Sequence, residues 1–497
     1  MERNTFKKNH LGGAKPKVII MWHFLTNWDS GENGGVEELE NGSLNLQNLA
    51  ACDPFSWALL AVKGVRNLIS HNPYAPRGQQ PPFSCALLDT PEYILNLEKK
   101  LAEYKCDTNK AIRLKLVRFA EDLEDETTSF SPLYSHQVFG DEESVFGYKD
   151  LEIQLYYSTC SLTTFFNIKY SSKVIEKYDN VEVDNVESKV LEFIPAGYCI
   201  NLDEFIVQLE KDASFRPFGL LIHSYTVYDE KEGLELSYEI YKTDISCPGF
   251  KEYHERLQTF LIWFIETASF IDVDDDKWQF FLVFEKYLED GSPRYATVGY
   301  MTVYNFYAYP DKMRPRIGQM LVLPPFQGEG HGARLLETVQ RFYTADPSIL
   351  DITAEEPSED FVKLRDFVLA KLCEELHAFV PEKLKKGFSA EMIDEARRTW
   401  RINKHHSRRV YEILRLRVTN MSDPVQSSEY RLDVKRRLAV PFKKNKKEAT
   451  RLSRLMPEDW LAQQAEMSVS QEQEYLEETY QSTVEKYRHI LERLARV

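Results

Sequence analysis

The most regular hydrophobic pattern of the chain begins near Glu98, where charged helical sequence leads into short β-rich runs. Two such runs, residues 151–157 and 163–169, are rich in apolar and aromatic residues and are separated by turn residues. This pattern predicts an N-terminal α/β unit that ends near residue 216. Beyond it, apolar residues between Tyr253 and Phe270 recur at intervals of three and four, which predicts a largely buried helix.

The next part of the chain alternates between strand and helix patterns. Apolar runs predict strands at residues 279–284, 296–304 and 319–323. A glycine turn follows, and apolar residues at helical spacing then predict a helix over residues 332–343. A further short strand is predicted at residues 350–354. Strands that alternate with helices around one sheet indicate α/β or α+β architecture, and we predict the α+β class with a mixed central sheet.

The C-terminal part of the chain, from residue 360 onward, has almost no strand signal and is dense in Lys, Arg, Glu and Leu. It is predicted to be helical, with one long amphipathic helix at residues 471–496. The predicted domain organisation is an extension at residues 1–95, an α+β domain at 98–216, a central core at 217–358 and a helical region at 359–497.

The first 95 residues differ in texture from the rest of the chain. Glycine pairs at residues 12–13 and 34–35 and a proline and glycine cluster at 76–82 interrupt them, and no hydrophobic period is sustained. We therefore predict a flexible extension that can be removed without loss of the fold, rather than a functional module.

The composition is that of a globular protein, with 43% hydrophobic and 13% aromatic residues, which excludes a mainly disordered chain. With 62 Lys and Arg against 78 Asp and Glu, the formal net charge is -16. This charge argues against direct nucleic-acid binding by the whole chain and favours a basic partner.

The seven cysteines are far apart and form no CxxC pair, so we expect reduced thiols in a cytosolic or nuclear protein. No segment approaches the ~20 apolar residues of a membrane span, so no membrane association is expected.

The segment with the clearest chemical signal runs from Gln319 to Arg334 and joins a predicted strand to a predicted helix through a glycine-rich turn. Gly328, Gly330 and Gly332 allow the backbone to approach a ligand closely. The first N–H groups of the following helix are unpaired donors at the positive end of the helix dipole. This arrangement suits a pyrophosphate, and a purely structural tight turn is the alternative.

The spacing of these glycines decides which known phosphate-binding motif the turn matches. There is no GxxxxGK[ST], and the three glycines do not form GxGxxG, so neither a P-loop nor a dinucleotide-binding turn is indicated. The pattern [Q/R]xxGx[G/A] does match, at residues 327–332. This is the acyl-CoA signature of the GCN5-related N-acetyltransferase superfamily, which the chain therefore resembles.

The sequence around this loop makes the resemblance more specific. The chain is similar to the catalytic subunit of the type B histone acetyltransferases in residues 253–261, 263–269, 335–339, 350–358, 362–367 and 408–415. This resemblance, which runs from about Lys100 to the C terminus, implies a GCN5-related N-acetyltransferase core at residues 217–358. It also implies acetylation of lysines in the N-terminal tail of newly made histone H4, with acetyl-CoA as co-substrate and no metal. The expected partner is a WD40-repeat histone-binding protein, and the expected location is the nucleus and cytoplasm.

The resemblance also assigns roles to individual residues. It implies Glu355 as general base, with Glu266 and Glu356 as nearby catalytic carboxylates. Many relatives are expected to have Asp where this chain has Glu356. Histone-tail contacts are implied at Asp141, Glu142, Glu143, Tyr304, Asn305 and Phe306. Cofactor contacts are implied at Met320, Leu321, Val322, Gln327, Gly328, Glu329, Gly330, His331, Gly332, Ala333 and Ser358.

Acetyl transfer to lysine requires a base. A lysine amine with its unperturbed pKa of ~10.4 is protonated at neutral pH and cannot attack a thioester until it loses that proton. Glu355 lies at the end of a predicted strand near the glycine turn, where it could accept the proton; a solvated strand-end glutamate is the alternative. Glu266 interrupts an apolar run, and a carboxylate on a buried helix requires a partner or a cavity, with a solvent-facing position at the helix edge as the alternative. A backbone N–H of residues 319–323 could stabilise the oxyanion.

Charged clusters elsewhere leave alternatives open. The acidic residues within 141–143 and 272–276 could hold a basic tail or be solvated surface. The basic residues within 435–437 and 443–447 resemble a nuclear import signal or a nucleic-acid patch, with a solvated helix face as the alternative.

An alternative function is a histone-binding carrier that retains the acyl-CoA fold without turnover. A nucleotide-binding switch is disfavoured, because the phosphate-loop lysine is missing from the sequence.

Overall fold

The computed structural model describes residues 99–178, 181–229, 233–444, 447 and 469–496. The predicted N-terminal extension, residues 1–95, lies outside the described residues. The described residues all belong to one compact unit, Asn72–Val497. They combine mixed sheets with helices, so the predicted α+β class is confirmed.

The strands occupy the first two-thirds of the described chain. They are β1 (Lys105–Asp107), β2 (Ile112–Val117), β3 (Ser129–Phe130), β4 (Ser144–Phe146), β5 (Tyr148–Lys149), β6 (Glu152–Ser158), β7 (Thr164–Lys169), β8 (Ser172–Lys173), β9 (Leu220–Asp229), β10 (Leu234–Thr243), β11 (Trp278–Glu289), β12 (Ser292–Ala308), β13 (Lys312–Val322) and β14 (Thr353–Ala354).

The helices lie between the strands and then dominate the C-terminal part. They are α1 (Thr108–Ala111), α2 (His136–Phe139), α3 (Val186–Leu191), α4 (Leu202–Lys211), α5 (Phe250–Leu257), α6 (Leu261–Phe264), α7 (His331–Thr344), α8 (Glu359–Glu374), α9 (Pro381–Lys386), α10 (Ala390–Trp400), α11 (Lys404–Val418), α12 (Pro424–Leu438) and α13 (Val469–Leu494).

A six-stranded sheet with the order β14-β13-β12-β11-β10-β9 forms the centre of the described part. Neighbouring strands are antiparallel, except that β14 runs parallel to β13. Residues 280–284 of β11 are all fully buried, so both faces of the sheet are covered there. Burial on both faces explains why this strand is a continuous apolar run in the sequence.

Most of the predicted central elements are confirmed, with longer bounds. The predicted strands at 279–284, 296–304 and 319–323 correspond to β11, β12 and β13, and the predicted helix corresponds to α7. The predicted strand at 350–354 is shorter: Thr353 and Ala354 form a continuous pairing with β13, whereas Leu350 makes a single separate bond to Met313. Sequence patterns did not predict the β9–β10 hairpin, although both strands carry the aromatic and β-branched residues typical of strands.

The prediction of one buried helix between Tyr253 and Phe270 is wrong. The segment is divided into α5, a 3₁₀ turn at Gln258–Phe260 and α6, which ends at Phe264. The backbone leaves the helix because Ile265 adopts an extended conformation, with φ -123° and ψ 118°. The carbonyl of Trp263 is meanwhile used by the backbone N–H groups of residues 133 and 134, at 2.9 and 3.1 Å. A tertiary contact therefore replaces the helical bond that the local pattern predicted.

The N-terminal unit contains a four-stranded sheet with the order β3-β2-β6-β7, in which β2 and β6 are parallel. Buried residues such as Leu114, Ile153 and Leu155 belong to the same hydrophobic cluster as those of the central sheet, whereas Val117, Tyr156 and Phe165 belong to a second, smaller cluster. An ion pair also joins the two sheets, since Arg118 donates to both carboxylate oxygens of Glu285 at 2.9 and 2.5 Å. The predicted boundary near residue 216 thus separates two sheets that share one core.

The C-terminal region is helical in its described part, and α13 corresponds to the predicted amphipathic helix. A buried ionic network joins its helices. The carboxylate of Glu412 is fully buried and accepts hydrogen bonds from Arg408, Arg437 and the hydroxyl of Tyr487. Because Tyr487 lies on α13, this network ties α13 to α11 and α12.

The basic run predicted as an import signal or nucleic-acid patch is partly used inside the fold. Lys435 pairs with Glu477 on α13, and Arg437 donates to Glu412 at 2.9 Å. These two residues therefore stabilise helix packing and are not part of a solvated helix face. Among the described residues, no helix is both long and apolar enough to cross a membrane.

Candidate active site

The central sheet opens at its β14 edge. The strands β13 and β14 pair only at Arg316 with Thr353 and at Ile317 with Ala354. Beyond this point β13 continues to Val322 along β12, while the chain after β14 turns away. Within the described residues, the stretch 318–322 therefore has a strand on one side only. We call its other side the open edge.

A β-bulge lies at the start of the open edge. The register between β12 and β13 shifts between Thr302 and Val303, and Gly318 is the extra residue. A Cβ at Gly318 would lie 3.2 Å from the ring of Trp278, so the close approach of this ring favours glycine. The N–H of Gln319 donates to the hydroxyl of Thr302 at 3.0 Å, and this N–H is not free to stabilise an oxyanion.

In the predicted cofactor segment, Met320 to Val322, the backbone N–H groups of alternate residues point toward the open edge. The N–H of Leu323 donates to Val298 on β12 at 2.8 Å. Since N–H direction alternates along a strand, the N–H groups of Met320 and Val322 point away from β12. The side chain of Leu321 is buried, whereas those of Met320 and Val322 are partly exposed. The open edge thus presents donors to a ligand.

The glycine loop, residues 327–332, leads from β13 to α7. Its first side chain, Gln327, donates through Nε2 to the carbonyl of Val322 at 2.8 Å and so attaches the loop to the open edge. Gly328 and Gly330 have φ values of +88° and +86°, which side chains other than glycine rarely allow. Gly332 contacts β13 and α8, because a Cβ there would lie 3.4 Å from both Met320 and Leu364.

The start of α7 has the properties of an anion site. Gly330 is its N-cap and supplies no side-chain acceptor. The first intrahelical bond runs from Arg334 to Gly330, so the N–H groups of His331, Gly332 and Ala333 have no partner within the helix. Three such donors at the positive end of the helix dipole suit a phosphate group.

The side chain of His331 has a structural role. Its ring is buried, lies 2.9 Å from the hydroxyl of Tyr225 through Nδ1, and packs on Tyr238. Its Nε2 lies 3.1 Å from the carboxylate of Glu329, another predicted cofactor residue. Burial lowers the pKa of His331, which favours the neutral ring. Any contact between His331 and a ligand is thus limited to its backbone.

Ser358 caps α8, and its Oγ accepts from the N–H of Phe361 at 3.2 Å. The hydroxyl proton remains available to a ligand. This cap begins the helix that passes Gly332 through Leu364. Ser358 and the glycine loop are therefore linked through α8.

The predicted catalytic carboxylates occupy three different environments. Glu355 continues the β14 pairing, since its N–H donates to Ile317 at 2.9 Å, and its side chain is about one-third exposed. Glu356 is exposed and has a left-handed backbone with φ +32°. Glu266 is exposed beyond the end of α6. The inference that Glu266 is a carboxylate on a buried helix is therefore wrong, because no burial cost applies to it.

The predicted tail residues 304–306, which we call the tail surface, lie on β12 opposite β13. The hydroxyl of Tyr304 donates to Asp275 at 2.7 Å, and its ring centroid lies 4.5 Å from that of Phe306. Arg316, directly opposite Tyr304, stacks on Phe306 at 4.6 Å and lies 3.9 Å from Glu355. The fold thus brings the tail surface and Glu355 to the same corner of the sheet.

The three acidic residues 141–143 do not form one uniform cluster. The carboxylate of Glu143 accepts from the N–H groups of Ser135 and His136 at 2.7 and 3.1 Å and from Asn109 at 2.6 Å. Partial burial acts to raise the pKa of Glu143, but these hydrogen bonds outweigh it and the pKa is lowered. Glu142 pairs with Lys105 at 3.1 Å, and Asp141 is exposed. Glu143 is thus bonded within the fold, while the other two face solvent.

The described part of the chain shows neither a metal-binding group of side chains nor a disulfide. Within the described ranges, His, Cys, Asp and Glu side chains form no group of three or more that could hold a metal ion. Of the seven cysteines in the sequence, those at 106, 160, 199, 247 and 373 are described and are free thiols.

Two family models match the chain. The model described as the N-terminus of histone acetyl transferase HAT1 matches residues 104–266. The model described as the C-terminal part of the histone acetyltransferase type B catalytic subunit matches residues 365–416.

Among solved structures, an aminoglycoside acetyltransferase from an uncultured soil metagenomic sample matches at 17% identity and a TM-score of 0.19, over 25% of this chain and 82% of that chain. A ribosomal-protein-alanine N-acetyltransferase from Brucella melitensis matches at 16% identity and a TM-score of 0.18, over 26% of this chain and 88% of that chain.

Whole-length relatives carry the family assignment. The human histone acetyltransferase type B catalytic subunit is 58% identical over 405 residues, which are 81% of this chain and 97% of the human protein. The rat protein of the same name is 57% identical over 81% of this chain and 97% of its own length. A Cryptococcus neoformans protein of that name is 31% identical over 80% of this chain and 99% of its own length. The chain therefore belongs to the family of histone acetyltransferase type B catalytic subunits.

Proposed function

We propose that this protein transfers the acetyl group of acetyl-CoA directly to lysine side chains in the N-terminal tail of newly synthesised histone H4, with Glu355 as general base. One observation carries the proposal. The open edge of β13, the unpaired N–H groups of α7 and the carboxylate of Glu355 lie around the point where β13 and β14 separate. An acyl carrier bound there would present its thioester near a carboxylate.

The donors of the site fit the chemical groups of acetyl-CoA. The N–H groups of His331, Gly332 and Ala333 would bind its pyrophosphate. The outward N–H groups of Met320 and Val322 would bind its amide carbonyls and the acetyl oxygen. When bound, acetyl-CoA supplies an activated acetyl group, and this chemistry requires no metal.

Glu355 would accept the proton that the lysine must lose. Its carboxylate is partly exposed at the edge of the sheet, so a side chain that enters from solvent can reach it. In the overall transfer a C–N bond forms and the thioester C–S bond breaks; Glu355 takes one proton of the lysine ammonium, and the second goes to the departing CoA thiolate, which leaves as the thiol. The adjacent tail surface offers aromatic contacts to the residues that flank the lysine.

The charge of the chain supports a basic substrate, since the formal net charge is -16. We propose histone H4, together with its histone partner, as that substrate. A WD40-repeat histone-binding protein is the proposed second subunit, and the nucleus and cytoplasm are the proposed locations.

The direct test combines the chain with acetyl-CoA and an H4 tail peptide and identifies acetylated lysines by mass spectrometry. The expected result is repeated turnover on the H4 peptide and none on a peptide in which every lysine is replaced by arginine. Tight binding of the H4 peptide without turnover would instead support the histone-binding carrier.

The acidic residues 141–143 should separate into two classes when they are neutralised. The double variant Asp141→Asn, Glu142→Gln is expected to raise the KM for the H4 peptide and to flatten its salt dependence. Exposed charges act on a basic tail through screened attraction, which explains both effects. Titrations of the peptide at two ionic strengths measure them. An unchanged peptide KM at low salt would show that these two residues are only solvated surface.

Glu143→Gln serves as the structural counterpart. Because the Glu143 carboxylate holds the N–H groups of Ser135 and His136, its neutralisation should destabilise the fold by ~1–3 kcal/mol. The readout is the midpoint of thermal unfolding, which the Asp141→Asn, Glu142→Gln variant should retain. Equal unfolding midpoints in all three proteins would contradict the structural role of Glu143.

The role of the glycine loop in acetyl-CoA binding can be tested at Gln327, whose side-chain amide attaches the loop to Val322. Gln327→Ala removes one hydrogen bond from an exposed position, so acetyl-CoA affinity should fall by roughly 2- to 12-fold with an unchanged unfolding midpoint. Calorimetry measures the affinity. Gln481→Ala is the matched control, because Gln481 makes a similar 2.8 Å bond to Glu477 on the exposed side of α13. Gly330→Val is less informative, since φ +86° at this position makes any side chain strained.

A further inference from the structure

Arg316 contacts both parts of the proposed site. It lies on β13 between Tyr304 of β12 and Thr353 of β14, its Cα partners on the two neighbouring strands. A terminal nitrogen of its guanidinium lies 3.9 Å from Oε1 of Glu355. The carbon at the centre of the guanidinium lies 4.6 Å from the centroid of the Phe306 ring.

We infer that Arg316 is a positioning residue that holds the Glu355 carboxylate toward a lysine entering over Phe306. This inference rests on the proposed roles of Glu355 and the tail surface. The resemblance to the type B family did not assign Arg316 to the site. Arg316 acts through its neighbours and is not itself assigned a contact with the reacting atoms.

The charge of Arg316 has two consequences for the reaction. A cation close to a carboxylate attracts it, which limits the positions that the carboxylate of Glu355 can take. The same cation disfavours a second positive charge nearby and so favours the neutral form of the incoming lysine amine. The side chains of Arg316 and Glu355 are 38% and 32% exposed, so solvent weakens both effects without abolishing them.

The shape of the side chain adds a second requirement. A planar guanidinium can stack on an aromatic face while its edge points to a carboxylate, and a lysine ammonium cannot do both. Arg316 therefore lies between the ring of Phe306 and the carboxylate of Glu355 and is close to both. Loss of the stacking and loss of the charge should have different kinetic effects.

Other charged groups surround Glu355 but have identified partners or lie in solvent. On β13, Arg314 pairs with Asp351 at 2.5 Å. Beyond β12, Asp275 accepts the hydroxyl of Tyr304, and Lys277 lies 5.8 Å from that ring. Glu356 is exposed, and Glu359 and Asp360 at the start of α8 pair with Lys363. Arg316 is thus the cation with a direct contact to Glu355 among the described residues.

The test is a double-mutant cycle on kcat and KM for the H4 peptide. Arg316→Gln should lower kcat by roughly 3- to 10-fold, because a charge ~4 Å away in a largely aqueous environment acts with about that strength. In the Glu355→Gln background the same substitution should cause no further loss of kcat.

Arg316→Lys separates the two contributions. It retains the charge, so kcat should stay close to that of the wild type. It loses the stacking on Phe306, so the peptide KM should rise. Arg341→Gln is the matched control, because the Arg341 guanidinium also lies over an aromatic ring, that of Trp400, and pairs with a glutamate, Glu337; it should leave kcat and the peptide KM unchanged.

The outcomes distinguish this inference from the proposed function. If Arg316→Gln lowers kcat equally in both backgrounds, or leaves kcat unchanged, Arg316 does not position Glu355 and the inference is overturned. If Glu355→Gln itself retains near-wild-type activity, the proposed general base is wrong, whatever Arg316 does. A lower kcat in Arg316→Gln that is absent in the Glu355→Gln background supports both.

Discussion

Replacement of Glu355 by glutamine is expected to lower kcat on the H4 peptide by ~10²–10⁴-fold, the range typical for loss of a general base. Glutamine has nearly the same size and shape, but it cannot accept the amine proton. The backbone bond from Glu355 to Ile317 is independent of the side chain, so the β13–β14 pairing should survive. Acetyl-CoA affinity, measured by calorimetry, should therefore remain close to that of the wild type.

The other two predicted carboxylates provide the comparison. Glu356 and Glu266 are exposed, so Glu356→Gln and Glu266→Gln should each cost much less activity than Glu355→Gln. The pH profile gives an independent check, because its acidic limb should disappear only in Glu355→Gln. A larger loss in either neighbour would assign the proton transfer to that residue and reduce Glu355 to an orienting group.

The second large effect is expected at Glu412, where neutralisation should lower the free energy of unfolding by ~3–5 kcal/mol. Glu412 is fully buried and neutralises the guanidinium groups of Arg408 and Arg437. Glu412→Gln keeps the volume of the side chain but leaves those cations with less compensating charge in a buried environment. Chemical denaturation measures the stability loss.

Hydrogen exchange should locate the effect of Glu412→Gln. The carboxylate also accepts from Tyr487 at 3.0 Å, so the protection of amides in α13 should decrease most. Glu374→Gln is the matched control, because its pair with Arg417 is largely exposed and should contribute at most ~1 kcal/mol. Similar stability losses in the two variants would mean that the buried network contributes no more than a surface pair.

Elements with strong local patterns were predictable from the sequence. The strand, glycine turn and helix around residues 319–343 follow from apolar spacing and from glycines that adopt positive φ. The long helix α13 follows from its amphipathic repeat. The segment between Tyr253 and Phe270 was not predictable in this way, because the bonds from residues 133 and 134 to Trp263 come from a distant part of the chain.

The same distinction applies to the candidate site. The sequence by itself determined the glycine loop, the candidate carboxylates and the resemblance to the type B family, because residue identity and short-range spacing carry that information. Only the tertiary structure decided that Glu143 and His331 bond inward, that Glu266 is exposed, and that the open edge exists. It also decided that Arg316 lies between Phe306 and Glu355. These three residues belong to different segments of the sheet edge, and their proximity depends on strand order and register, which no local pattern encodes.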